Sequence, residues 1–494
     1  MANWNTWGNP LWGGVSLYLN QQETEAVLTS GNYATALASA IAAAGPPPVS
    51  AAAGVIAAYL ALNEQAASNA DKGNGICFSV PWEALANPVF VTVSSGPTGN
   101  CGSSPANNQE HVNYIDSSGQ VHELLFAGGK WSVNNLTQLS GATAYPAAPW
   151  SLLDGYETLF SNQFQEHVNY IGAGGHVREL LYTGSNWTTN DLTQLSNAVT
   201  VPGQGGLAGY ESLWNNQQHV NYIDSSDQVH ELWFQFGGSW GANNLSELAG
   251  ATAYPAAPWS PVAGYVTPWN NQLHVNYIDI NGHIHELWYS SSGGWQHNDL
   301  TELAGAEDFT AAGPPLIGGI RGRGSPLASY ATLYNNQSHV DYLDSNGHVH
   351  ELYYFDNWQH NDLTEEAGAT AYTAALGSSL DAYETLSNSQ QHVNYTDSSG
   401  HVHELYYFDN WQHNDLTEEA GATAYTAAPG SSLDGYESMF NNQLQQHVNY
   451  IDSGGHVHEL VYSNGAWAHN DLTDLAGAGG APAANLSPLD GYST

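Results

Sequence analysis

Cationic side chains are almost missing from this chain. Five Lys and Arg stand against 46 Asp and Glu in 494 residues, a formal net charge of −41. A polyanion of that size repels phosphate backbones, which argues against any nucleic-acid partner, and anionic lipid surfaces are disfavoured as well. Charged residues nevertheless total only 10%, too few for the dense carboxylate coat of a salt-loving protein. The polar surface is instead Asn, Gln, Ser, Thr and Gly, a neutral coat that fits an extracellular or cell-surface location. Cysteine is scarce too. Cys77 and Cys101, 24 positions apart, could form one disulfide or remain buried thiols. The opening run MANWNTWGNPLWGG has no basic stretch followed by an apolar one, so no ordinary signal peptide is recognisable.

What is abundant is apolar and aromatic surface. Hydrophobic residues make up 42%, with 17 Trp and 29 Tyr, which excludes disorder and supports a large packed structure. The decisive feature is a repeat. HVNYID or a near copy begins at His111, His167, His219, His274, His339, His392 and His447, at spacings of 56, 52, 55, 65, 53 and 55 residues. The long spacing contains the insertion GPPLIGGIRGRG. Each unit runs in the same order: a segment such as GYETLF, an NNQ-type turn, HVNYID, a turn such as SSG, HVHELYY, another turn, and W-x-x-NDLT. An Ala/Pro/Gly-rich connector follows. Polar and apolar residues alternate with period two, β-branched and aromatic residues are enriched, and turn residues sit between, so the runs predict four antiparallel strands per unit.

Four strands repeated about every 50 residues describe a β-propeller blade, with a stacked solenoid as the competing architecture. The chain ends favour the ring. The first unit lacks its GYETLF strand, and NLSPLDGYST after the last unit supplies a spare copy of that strand's opening. The expected fold is therefore all-β: a seven-bladed propeller over residues 104–494, closed by its C-terminal strand and free of open sheet edges. Residues 1–103 form a separate Ala/Gly-rich region. ATALASAIAAAGPPPVSAAAGVIAAYLAL predicts two Ala-rich helices around a Pro turn, the second too short and too Ala-rich to span a bilayer comfortably. A hairpin packed through small residues is therefore expected, with membrane insertion or self-assembly as the alternative. GNGICFSVPW and VFVTVSS predict short strands leading into the propeller.

All 22 histidines lie in the repeats. Seven open HVNYID. Six precede the Glu of HELYY (His122, His230, His285, His350, His403 and His458), with Arg178 in the one remaining unit, the second. Five more open that strand, and four sit in the QHND or AHND run. The Glu recurs in every unit as Glu123, Glu179, Glu231, Glu286, Glu351, Glu404 and Glu459. So does a Trp, as Trp131, Trp187, Trp240, Trp295, Trp358, Trp411 and Trp467. A strict repeat can be purely structural, since every blade makes the same turns and the same contacts with its neighbours. That reading suits NDLT, whose Asp or Asn can close a turn. The His, Glu and Trp set carries a second reading. An indole face suits the C–H patch of a sugar, while a carboxylate and an imidazole can fix its hydroxyls.

The order HVNYID, HVHEL and W resembles the blades of the fucose-binding fungal lectin family, over about 390 residues. That family has six-bladed propellers with sugar pockets between blades and carries runs of the type R-V-Y-Y-x-D, I-R-E and W. The resemblance implies that the seven Glu and seven Trp above hold sugar, and that His111, His167, His219, His274, His339, His392 and His447 replace the family's Arg. A guanidinium donates a rigid fork at any pH, whereas imidazole gains charge only near pH 6. Binding through His is therefore expected to strengthen in mild acid, where 22 added positive charges would move the net charge from −41 to −19.

Two rivals remain. HVHEL places two imidazoles on one strand face at a usable metal-ligand spacing, so adventitious Zn²⁺ uptake is conceivable, but no resident metal or other cofactor is expected. An enzyme needs differently tuned groups at a unique place. No His here breaks the repeat, and the Glu365–Glu366 and Glu418–Glu419 pairs read as solvated loops, so no catalysis is expected. The sequence reads as a multivalent carbohydrate-binding protein whose partners are glycans ending in fucose or another monosaccharide. The alternative is a self-assembling surface or fibre protein that uses the propeller as a display scaffold and oligomerises through its N-terminal region.

Overall fold

The structure, a computed structural model, describes residues 109–493 apart from 150, 161–162, 202–204, 314–315, 318–319, 322–326, 387, 441–442 and 485. Of the preceding residues it describes 3–8, 13–19, 23–24, 27–28, 56, 76–81 and 92–95. Seven four-stranded antiparallel sheets form the blades, numbered here by their HVNYID strand. Blade 4 is representative, with Val262–Thr267, Gln272–Ile278, Ile284–Ser290 and Gly294–Asp299 in consecutive order. In blade 1 the innermost strand is Leu489–Ser493, paired in register from Leu489↔Tyr114 to Ser493↔Glu110. The chain's last strand thus completes the first blade, as its sequence requires. The first strands of successive blades neighbour one another all the way round, from blade 1 through blade 7 and back to blade 1. The ring is closed.

Each blade buries both of its faces, so alternation along a strand sorts residues between two neighbouring blades rather than between core and water. In HVNYID the Val and Tyr point to the preceding blade, while His and Asn point to the following one. Seven hydrophobic clusters result among the described residues, one at each seam between blades. The NDLT run ends the fourth strand and begins a short helix. In blade 4, Asp299 accepts the Glu302 N–H as an N-cap, and the Thr301 hydroxyl accepts the Ile284 N–H at 2.8 Å. The same Thr or Ser bond recurs in the other six blades. NDLT is therefore structural, a cap plus a tie.

Between residues 3 and 95, the strands Asn3–Gly8, Gly13–Leu19, Ile76–Pro81 and Thr92–Ser95 pair consecutively into a further antiparallel sheet. The last two were expected from sequence and the first two were not. Glu23, Thr24, Val27, Leu28 and Ile56 are helical. The rest of the expected Ala-rich hairpin lies outside the described residues, as does Cys101. In the blade 4–5 insertion, Leu316–Ile317 pairs with Ile320–Arg321. Among the described residues no helix is long and apolar enough to cross a membrane.

Candidate functional site

The repeated His and Glu meet in every blade. Within the sheet, Asn276 pairs with Glu286, and His274 lies two residues before Asn276 on the same face, so its ring reaches Glu286 diagonally. The Nδ1 of the HVNYID histidine lies 2.8 Å from Oε1 of its Glu in all seven blades, from His111–Glu123 to His447–Glu459. The second carboxylate oxygen accepts an Asn side-chain N–H from the fourth strand at 2.6 to 3.0 Å. In blades 2 to 7 a Thr or Ser hydroxyl of the first strand lies 2.7 to 3.0 Å from Nε2. A first-strand Tyr stacks on each imidazole, with ring centres 4.7 to 5.2 Å apart.

This clasp is buried. The seven Glu are 1 to 2% exposed and the seven His 1 to 6%. The residue that precedes HV in the next blade lies over the clasp as Glu166, Gln218, Ser338, Gln391 and, closing the ring, Glu110. Leu273 and Gln446 hold the equivalent register position in the other two seams. Gln218 shows how the cover works. Its side-chain N–H group reaches Glu179 Oε1 at 2.7 Å and the Tyr156 hydroxyl at 2.6 Å. Gln391 likewise donates to the Tyr334 hydroxyl at 3.0 Å. The covers Glu166 and Glu110 place a second carboxylate 3.7 Å from His111 and 3.9 Å from His447. Burial pushes both acids up to about 7, against the opposing pull of the nearby imidazoles.

The Trp is positioned differently from its own His and Glu. In blade 5, Trp358 packs with Ile278, Ile284 and Leu300 of blade 4, while Trp411 of blade 6 packs with Leu343, Val349 and Leu363 of blade 5. The His and Glu of one blade therefore share a seam with the Trp of the next. Trp358, Trp411 and Trp467 are buried, whereas Trp131, Trp187, Trp240 and Trp295 are half-buried. The order of residues within a unit had grouped His339, Glu351 and Trp358. The fold instead places His274 and Glu286 at the same seam as Trp358, and His339 and Glu351 at the same seam as Trp411.

A second repeated cluster lies at the other end of the third and fourth strands, under the connectors. In blade 5, His348 Nδ1 is 2.7 Å from Asp362 Oδ2, and His350 Nδ1 is 3.0 Å from His360 Nε2. Blades 4, 6 and 7 repeat both contacts. A connector ring lies over the imidazole pair, with centroids 4.6 to 4.8 Å from the outer His: Tyr254, Phe309, Tyr372 and Tyr425. These rings are 40 to 46% exposed. Burial, reinforced by the facing imidazole, lowers the outer histidines His297, His360, His413 and His469 below the usual range. In blade 2, Arg178 takes the inner histidine's place, sits 3.9 Å over the Tyr145 ring and pairs with Asp191 at 3.1 Å. Neither the cover residues nor the connector rings were singled out by the sequence reading. The signal for the latter was an aromatic residue recurring in connectors otherwise built of small residues.

No protein-family model matches the chain, and no curated protein matches it. Among solved structures, the BP39L lectin from Burkholderia pseudomallei overlays at a TM-score of 0.53 with 16% identity, over 74% of this chain and 95% of that one. The chain shares that lectin's fold. The lectin of Aleuria aurantia, described as a six-bladed β-propeller with a novel fucose recognition mode, matches at 15% identity over 66% and 96% of the two chains, with a TM-score of 0.42. AofleA from Arthrobotrys oligospora matches at 12% identity over 64% and 84%, with a TM-score of 0.43. At those scores the last two add nothing to the fold assignment. The blade count here is one more than in the Aleuria protein.

Proposed function

We propose that this protein is a multivalent glycan-binding propeller without catalytic activity, acting outside the cell or at its surface, with sugar taken up at the seams between blades. The observation that carries the reading is the sevenfold recurrence of an imidazole, a carboxylate and an indole at each seam. They lie on a fold shared with a bacterial lectin. The set at each seam is His and Glu of one blade and Trp of the next, with fucose or another monosaccharide terminus as ligand. A sugar hydroxyl reaching the Glu must displace the cover residue. The seam between blades 4 and 5 resists this least, because its cover is the short Ser338. There His274 is 6% exposed, against 1 to 2% for the other six. Weak single sites would gain avidity where several lie within reach of one branched or clustered target.

The test is a glycan array at pH 5 and pH 7 with the full chain, Glu286→Ala and Trp358→Ala. Binding that these variants weaken, and that Ser338→Gln also weakens, is expected. No binding of any glycan at either pH refutes the reading. A second reading, the propeller as a display scaffold that assembles through residues 1–103, is favoured by one observation: the clasp already occupies both Glu oxygens. Under that reading Glu286→Ala lowers stability and leaves the array unchanged, and removing residues 1–103 lowers the particle mass in light scattering.

A further inference from the structure

We propose that blades 4 to 7 each carry a divalent transition-metal site at the connector end, built from three imidazoles and one carboxylate. In blade 5 these are His348, His350, His360 and Asp362. The assignment is independent of glycan binding and concerns the opposite end of the blade from the Trp.

In blade 5 the donor atoms are already gathered, while in blades 6 and 7 His401 and Asp415 are gathered with Glu418, and His456 and Asp471 with Asp474. The ligand atoms of His348, His350 and Asp362 all lie within 4.8 Å of one another. His360 Nε2 faces His350 Nδ1 at 3.0 Å. Two nitrogens on one tetrahedral Zn²⁺, each bound at about 2.0–2.1 Å, sit about 3.3 Å apart, so a small opening of this pair admits the ion.

The tautomer is set for it as well. His350 is 1% exposed, and its Nε2 has no hydrogen-bond partner, but it points at Asp344 Oδ2, 3.7 Å away. A carboxylate on that side favours the proton on Nε2 electrostatically and so leaves the Nδ1 lone pair facing the cluster; shortened to a hydrogen bond, it would be the usual outer-shell arrangement behind a metal-bound histidine. The inner histidines of blades 4, 6 and 7 repeat it, with Nε2 unpartnered and an Asp oxygen at 3.5 to 3.6 Å. His348 leaves the site open on one side, its side chain 21% exposed. Imidazole with carboxylate suits Zn²⁺, Cu²⁺ or Ni²⁺ rather than Mg²⁺ or Ca²⁺. A net charge of −41 raises the local concentration of any divalent cation.

Blades 1 to 3 are internal controls. The position of the third imidazole, opposite Leu352 in blade 5, holds Val133, Thr189 and Ala242 there. Each of these blades offers a single imidazole there, His122, His176 or His230.

The test is calorimetric titration of the chelator-treated full chain with Zn²⁺ alone, paired with metal analysis after desalting. Saturation at four equivalents is expected, falling to three in His360→Gln and to two in His360→Gln with His413→Gln. Asp344→Asn should weaken one of the four sites about 10- to 100-fold. His176→Gln, in blade 2, should leave four equivalents. Circular dichroism confirms that each variant is folded. Saturation at any other number overturns the assignment. So does a stoichiometry that His360→Gln does not change, or one that His176→Gln lowers equally.

Discussion

Replacing Glu166 by Gln should make the protein more stable, increasingly so as pH rises from about 4.5 to about 7. Glu166 covers the clasp of blade 1 and faces the Glu123 side of His111 with a carboxylate of its own. Burial raises its pKa from 4.5 to about 7, and the charge of Glu123 adds to the rise. The folded protein therefore holds a proton on Glu166 in a range where the unfolded chain has lost it. A raised acid of this kind costs nothing well below pH 4.5. The cost grows as pH rises from there to about 7, and above that it is constant. Two and a half pH units at about 1.36 kcal/mol each set the plateau at about 3 kcal/mol, with about 1 kcal/mol already present at pH 5. Gln cannot ionise, and it is the natural cover in three other seams, as Gln218, Gln391 and Gln446. Gln218 shows the bonds it would make, one to the clasp Glu and one to the stacked Tyr. In blade 1 the corresponding Tyr492 hydroxyl is buried and lacks a partner. Urea unfolding at pH 5 and pH 8, followed by Trp fluorescence, should show Glu166→Gln ahead of the parent by about 2 kcal/mol more at pH 8 than at pH 5. Glu110→Gln, at the other seam of blade 1, should behave alike and add to it. An equal shift at both pH values, or a loss at pH 8, would refute the reasoning.

Three further outcomes follow from packing. Gly155→Ala should destabilise by about 1–3 kcal/mol in thermal unfolding, because its Cβ would stand 2.5 Å from Asp490 Oδ2 and 2.8 Å from the Tyr492 ring. Leu486 holds a left-handed backbone, with φ of 58°, at a connector position where blades 5 and 6 use Gly377 and Gly430. Leu486→Gly should relieve about 1 kcal/mol of strain, read as a higher urea midpoint. Trp411→Ala empties a seam in which the indole is 4% exposed. It should cost about 3–5 kcal/mol by the same assay, against a much smaller loss for a half-buried counterpart such as Trp187→Ala.

The repeat carried the architecture because each blade must satisfy the same two neighbours. Strand count and the closing role of NLSPLDGYST could be read from spacing and alternation, and the turn-closing role of NDLT from its Asp or Asn, but not the short helix that this residue caps. Site composition was read less well, for a geometric reason. Period two separates residues onto faces, but in a propeller both faces are buried, so a residue's neighbours belong to different blades. Glu351 and Trp358 are seven positions apart in one unit, yet they face blades 6 and 4 respectively. Only the ring order, which no local pattern encodes, brings Glu351 to Trp411. The covers were missed for the same reason. Gln218 means little beside His219 in sequence, and its partners Tyr156 and Glu179 belong to the preceding blade.

The same cross-blade logic explains variation inside the GYETLF strand that looks like drift in the sequence. Asp154, Asp381, Asp434 and Asp490 begin this strand in blades 2, 6, 7 and 1, while Ala208, Ala263 and Ala328 take the place in blades 3, 4 and 5. Each Asp directs Oδ2 at the next blade, and Gly209, Gly435 and Gly155 donate their backbone N–H to it at 2.7 to 2.8 Å. A Cβ on those glycines would strike the same oxygen and the adjoining Tyr ring. Where the preceding blade offers Ala instead, the next blade carries Gly264, Ser329 or Ala382, so side chains reappear only where no carboxylate stands opposite. The acids themselves are held protonated by burial, Asp154 up to about 8 and Asp381 up to about 7, although their Gly N–H bonds pull the other way. Asp and Gly thus form one unit split between neighbouring blades, and a duplicated blade keeps its fit only beside a neighbour of the matching kind. The letter-for-letter copies at 347–372 and 400–425 lie in adjacent blades 5 and 6, yet blade 5 begins its inner strand with Leu327-Ala328-Ser329 and blade 6 with Leu380-Asp381-Ala382. Part of the divergence between the two blades sits at the inner strand, where each copy meets a different neighbour.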